Sequence, residues 1–151
     1  MKRLLLILFF SCSAYCQSND IVYMDKILEE NKGKLIYMEF WASWCAPCRV
    51  EMKKIHKVLD KYKDKVAVVY ISIELEEDNW RKACEQEKID KENYNVLAPK
   101  FKKSDAMKGL RVDAIPKYVL FDKNGVMVNK DAPRPSEKLK LEAEFDKYLN
   151  L

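Results

Sequence analysis

A mostly apolar run, KLIYMEFWA at 34–42, leads within three residues into CAPC at 45–48. CAPC in turn opens a segment whose apolar residues recur at helical spacing. This succession constrains the chain more than any other feature. An unbroken apolar run of that length reads as a buried strand, and the segment after it as an amphipathic helix. Two cysteines three apart at a strand-to-helix junction leave two chemistries open, half of a metal site or a redox dithiol.

The rest of the chain extends the alternation. Residues 25–32 read as a short helix stopped by Gly33. In the helix after CAPC, Val50, Ile55, Val58, Leu59 and Tyr62 are expected to face the core. KVAVVYISIE at 65–74 is rich in β-branched residues and reads as a central strand. EDNWRKACEQEK at 77–88 reads as a helix, and YVLFDKNGVMVN at 118–129 as a hairpin turning at KNG. The last sixteen residues form an amphipathic helix with Ser136 as its N-cap. Strands alternating with helices imply a parallel sheet segment, to which the late hairpin adds antiparallel strands, with helices on both faces. About forty residues separate Glu74 from Pro116, more than one crossover helix requires. An insertion is expected there, with a short strand at YNVLA.

At 151 residues the chain suits one domain able to bury a core without disulfide staples. A net charge of +4 is too small a bias for nucleic-acid binding. Only three glycines are present, and no glycine-rich phosphate loop. Residues 1–16 carry Lys2 and Arg3, an apolar run from Leu4 to Phe10, then small residues. This is the signal-peptide pattern, too short for a membrane span. A lipoprotein leader acylated at Cys12 or Cys16 is the alternative, although neither cysteine has leucine three residues before it. The domain then occupies 17–151, in the periplasm or cell envelope, either soluble or lipid-anchored, where disulfides persist.

Loss of that leader leaves Cys45, Cys48 and Cys84, with His56 as the one histidine. Structural zinc requires four such ligands, usually as two close pairs. His56 lies in the Lys-rich stretch KKIHKVLDK and reads as a surface residue, so no metal and no cofactor are expected. A dithiol fits better. Unpaired N–H groups and the dipole at a helix N-terminus favour the thiolate of the first cysteine. The second lies one turn later, on the same face, and can resolve a mixed disulfide. Pro47 falls early in the helix, where its missing N–H costs little. Cys84 reads as a packing residue and Arg49 as a solvated one. The acidic cluster ELEED at 74–78 reads as a solvated loop and helix start.

FWASWCAPC resembles the thioredoxin superfamily motif, and WCAPC is similar to exported TlpA/ResA-like thiol–disulfide oxidoreductases. AIPKYVLFD resembles that family's cis-proline loop and the strand after it, and NKDAPRPS a pattern of Bacteroidetes-type members. The resemblance covers residues 25–151. It implies an α/β thioredoxin fold, a central mixed β-sheet flanked by helices, with the insertion between the βαβ half and the cis-Pro ββα half. It makes Cys45 the exposed attacking thiol, Cys48 the buried resolving thiol and the two together the redox-active disulfide. Pro116 is the matching cis-proline, with the Ile115 backbone offered as an edge to an extended client segment. Trp44, Ala46 and Pro47 would complete the docking surface, while Trp41 packs in the core. Glu39, six residues before Cys45, matches a buried acid that accepts the Cys48 proton. Alternation alone leaves open a solvent-facing Glu39. The family's lysine near that acid is replaced by Tyr70.

The implied activity is protein-disulfide exchange. Ala46-Pro47 carries no charge and no hydrogen-bond donor able to stabilise a thiolate. The couple should therefore lie nearer thioredoxin, roughly −270 mV, than DsbA, roughly −120 mV, and act as a reductant. A DsbA-like oxidase or a disulfide isomerase is the alternative. Protein disulfides, including those of apocytochromes, are the expected substrates, and a membrane thiol relay the expected electron donor.

Overall fold

The computed structural model describes residues 22–89, 94–98, 101–103 and 105–150. The expected leader, with Cys12 and Cys16, lies outside the described residues. The elements are β1 (Val22–Tyr23), α1 (Met24–Glu30), β2 (Leu35–Trp41), α2 (Ala46–Leu59) and a 3₁₀ turn (Asp60–Tyr62). They continue with β3 (Val66–Ser72), α3 (Glu77–Glu87), β4 (Tyr94–Leu97), β5 (Phe101–Lys102) and a second 3₁₀ turn (Asp105–Met107). The chain closes with β6 (Lys117–Phe121), β7 (Met127–Asn129) and α4 (Lys138–Leu149).

Five strands form one mixed sheet in the order β4-β3-β2-β6-β7. β2, β3 and β4 are parallel, and β6 and β7 run antiparallel to their neighbours. Because β2→β3→β4 steps in one direction, right-handed crossovers put α2 and α3 on the same face. That face is one core cluster. It joins Cys48, Met52, Ile55 and Val58 of α2, Trp80 and Cys84 of α3, and Leu141 and Phe145 of α4 to Tyr37 and Trp41 of β2. The alternate residues Ile36, Met38 and Phe40 enter a second cluster with Met24 and Ile27 of α1 and with Met107 and Leu110. β2 is buried along its whole length, as its apolar run requires. The hairpin turns at Gly125, whose φ of +78° suits glycine. Asp122 Oδ1 accepts the Asn124 and Val126 N–H groups there, both at 2.9 Å.

The expected strand at YNVLA is β4, inside the insertion. The pairing of β1 with β5 as a small parallel sheet was not expected, since two-residue strands carry no periodicity. Three further expectations are corrected. Val50 is 51% exposed. The inward stripe of α2 runs through Cys48, Glu51, Met52, Ile55 and Val58, and a residue two positions from Cys48 points away from it. Ser136 does not cap α4, whose N-cap is Glu137. The Ser136 main-chain N–H instead donates to Glu51 Oε2 at 2.7 Å, which fixes the turn before the helix. Glu74 is not solvated; it is buried beneath the loop that carries Trp44.

Candidate functional site: a disulfide at a helix N-terminus

β2 delivers the chain at the C-terminal end of the parallel strands, and residues 43–45 turn it into α2. Two bonds from a buried carboxylate hold that turn. Glu74 accepts from the Ser43 N–H at 3.1 Å and from the Ser43 hydroxyl at 2.7 Å. Cys45 is the N-cap of α2, and its Sγ accepts the Cys48 N–H at 3.3 Å. The sulfur thus sits where the helix presents unpaired donors, which favour negative charge. Cys45 and Cys48 form a disulfide with Cα atoms 5.3 Å apart. Cys48 is fully buried. Cys45 is only 4% exposed, much less open than an attacking thiol was expected to be. Trp44 at 66% exposure, with Ala46 and Pro47 also exposed, forms the surface around it.

The Ile115–Pro116 bond is cis. Antiparallel pairing sets Lys117, the first residue of β6, opposite Phe40 near the end of β2. The Ile115–Pro116 segment therefore enters the sheet at the edge where the disulfide turn leaves it. Ile115 is half-buried and packs against both core clusters.

Glu39 lies between Tyr37 and Trp41 on the face of β2 that packs under α2, the same face as Cys48. It is 1% exposed, which removes the solvent-facing alternative. Its register partners are Tyr70 on β3 and Tyr118 on β6. Tyr118 donates its hydroxyl to Glu39 Oε1 at 3.0 Å. Burial pushes the Glu39 carboxyl well above the usual carboxylate range, and the nearby Glu51 charge adds to this, while the Tyr118 donor partly opposes it. Burial also drives the Tyr118 phenol upward, together with the adjoining Glu39 carboxylate, so the hydroxyl keeps its proton. For Glu51, burial raises the carboxyl but is outweighed by Lys54 and the Ser136 N–H, which lower it on balance.

Arg49 is not free in solvent. Its Nε donates to Glu87 Oε1 at 2.6 Å and its Nη2 to Gln86 Oε1 at 2.7 Å, tying α2 to α3. Cys84 is a buried packing residue of α3, and Asn95 Nδ2 of β4 lies 2.8 Å from its sulfur. Among the described residues no group of three or more His, Cys, Asp or Glu is arranged to hold a metal. The sequence reading missed Tyr118, Glu51, Glu74 and Glu87. Each acts through a partner 31 to 85 positions away in the chain or across a strand register, for which no local pattern exists.

The thioredoxin-like family model matches residues 33–127, more than half of the chain. Thioredoxin-like protein YneN of Bacillus subtilis is 32% identical over 101 residues, covering 66% of this chain and 57% of that protein. Sporulation thiol-disulfide oxidoreductase A of the same organism is 28% identical over 112 residues, 73% of this chain and 67% of that one. Among solved structures, the thioredoxin domain of a thiol-disulfide oxidoreductase from Bacteroides vulgatus superposes with a TM-score of 0.63. Its identity is 27%, over 82% of this chain and 84% of that one. This chain thus spans a little over half the length of the first relative, 57%.

Proposed function

The chain belongs to the thioredoxin-like family, within its TlpA/ResA-like members, and from that membership we propose that it is a protein thiol–disulfide oxidoreductase working as a reductant in the cell envelope. The observation that carries the reading is the Cys45–Cys48 disulfide at the N-terminus of α2. In the reduced enzyme the Cys45 thiolate attacks one sulfur of a client disulfide. A mixed disulfide forms and the first client thiolate leaves. Cys48 then gives its proton to Glu39, and its thiolate attacks Cys45 Sγ. The Cys45–client bond breaks, the second client thiolate leaves, and the enzyme disulfide closes. The client gains two electrons and the dithiol loses them; the two client thiolates take up protons from solvent, and Glu39 passes the Cys48 proton back to solvent.

The reducing direction rests on Ala46-Pro47, which leaves the Cys45 thiolate to the helix N-terminus alone. Envelope location rests on the N-terminal segment, with its basic start and apolar run. Trp44, Ala46, Pro47 and the Ile115–Pro116 segment would take the client. Apocytochromes are one class of such client, and a membrane thiol relay would return electrons to the disulfide.

Equilibration of residues 17–151 in dithiothreitol redox buffers, followed by tryptophan fluorescence, tests the direction. A potential below about −230 mV supports the reductant, and one above about −150 mV overturns it in favour of an oxidase or isomerase. Cys48→Ser should accumulate client mixed disulfides at Cys45. Absence of any two-electron transition would overturn the dithiol reading itself.

A further inference from the structure

We propose that Tyr118 is the positioning residue for the buried proton acceptor: its hydroxyl holds the Glu39 carboxyl on the sheet face that packs under α2 and selectively stabilises the ionised form that takes the Cys48 proton. The inference rests on the oxidoreductase reading above.

A phenol buried to 2% exposure is destabilising unless its hydroxyl finds a partner. Here the partner is Glu39 Oε1 at 3.0 Å. Packing fixes the donor. The Tyr37 ring stacks on Tyr118 with centroids 5.3 Å apart and planes within 10°. Tyr37 is itself anchored by its hydroxyl to the Pro133 carbonyl at 2.8 Å, and Tyr118 O accepts the Ala132 N–H at 3.1 Å. The hydroxyl therefore has little freedom to turn away from the carboxyl.

A donor to a carboxylate favours its charged form, whereas burial favours its neutral one. Without Tyr118, burial and Glu51 would act on Glu39 unopposed. The acceptor would then keep its proton at the pH where it must take one from Cys48. The titratable groups that share this face with Glu39 come from every packed element: Tyr37 on β2, Tyr70 on β3, Tyr118 on β6, and Cys48 and Glu51 on α2. Of these, the Tyr118 hydroxyl is the group whose hydrogen bond lowers the Glu39 carboxyl. Tyr118 also lies in the wall of an open groove of about 410 Å³, with Pro116, Lys117, Pro133 and Arg134. The strand that follows the cis proline thus carries, two residues beyond Pro116, the donor that sets the proton acceptor.

Tyr118→Phe removes only the hydroxyl. Two readouts on the full domain test the inference. Carboxyl NMR of reduced protein should show the Glu39 titration displaced to higher pH. The pH profile of mixed-disulfide resolution should move the same way, with a loss of about tenfold or more near neutral pH, the scale of one hydrogen bond to a charged group. In a Glu39→Gln background the same change should have no effect on the profile. An unmoved Glu39 titration, or a rate lowered equally at every pH, overturns the role of Tyr118. If Glu39→Gln leaves resolution unchanged, Glu39 is not the proton acceptor and the parent reading fails there; the NMR titration still decides whether Tyr118 sets the Glu39 ionisation.

Discussion

Arg49→Met should destabilise the oxidised protein by about 2 kcal/mol, although Arg49 neighbours the disulfide and looks like an ordinary surface residue in the sequence. Its Nε lies 2.6 Å from Glu87 Oε1. The Glu87 side chain is 2% exposed and that of Arg49 32%. Breaking a fully buried ion pair costs about 3–5 kcal/mol, because one charge is left uncompensated; an exposed pair is worth about 0–1 kcal/mol. This pair falls between. Solvent screens the arginine, but the carboxylate it leaves behind is out of water. Lys53 remains 3.5 Å from Glu87 Oε2, but it is 69% exposed and compensates only in part. Methionine keeps most of the apolar stem, so the loss reports the guanidinium and not the packing. Urea unfolding should show a midpoint lower by about 1 M, given a slope of about 2 kcal/mol/M for a domain of this size. The double variant Arg49→Met with Glu87→Leu removes both charges and should return to within about 1 kcal/mol of the parent. A loss below about 0.5 kcal/mol for Arg49→Met would refute the reasoning. So would a double variant whose loss equals the sum of the two single ones, because the two side chains would then not be coupled.

Glu39→Gln tests the burial of that carboxyl through stability. A folded-state carboxyl raised above its ordinary value of 4.5 holds its proton while the unfolded chain has lost it. The native state then binds more protons, and stability falls as pH rises from that value through the folded one. Glutamine has no such dependence, so the variant should match the parent near about pH 4 and exceed it increasingly as pH rises toward the folded-state value in parallel urea titrations. A constant difference across that range would mean that Glu39 is not buried as a neutral acid. Tyr62→Phe should cost about 1 kcal/mol in the same assay. It removes a hydroxyl 2.7 Å from Asp146 Oδ1 and 3.1 Å from the Glu142 carbonyl, which joins the 3₁₀ turn after α2 to α4.

The elements with strong local signals were legible in the sequence. The apolar run of β2, the β-branched run of β3, the KNG turn of the hairpin and the helical period of the final amphipathic helix are each local signals, spelled out within a few residues of chain. The dithiol was equally legible, because Cys45, Pro47 and Cys48 act through their own helix terminus. The tertiary structure alone decided what surrounds them. Alternation could not say whether Glu39 faces water. That followed only when α2 crossed over the face bearing Tyr37 and Trp41. Nor could it say that Tyr118 meets Glu39, since a one-residue change of register between β2 and β6 would put the hydroxyl on the opposite face. Glu74 read as a solvated charge because charge is usually solvated, and nothing in the sequence singled out Glu51 or Glu87. In the fold each carboxylate receives donors from another element: the Ser136 N–H, Ser43 and Arg49. A sequence records the residues able to ionise; the donors that close around them, and so their protonation, exist only once distant segments are packed together.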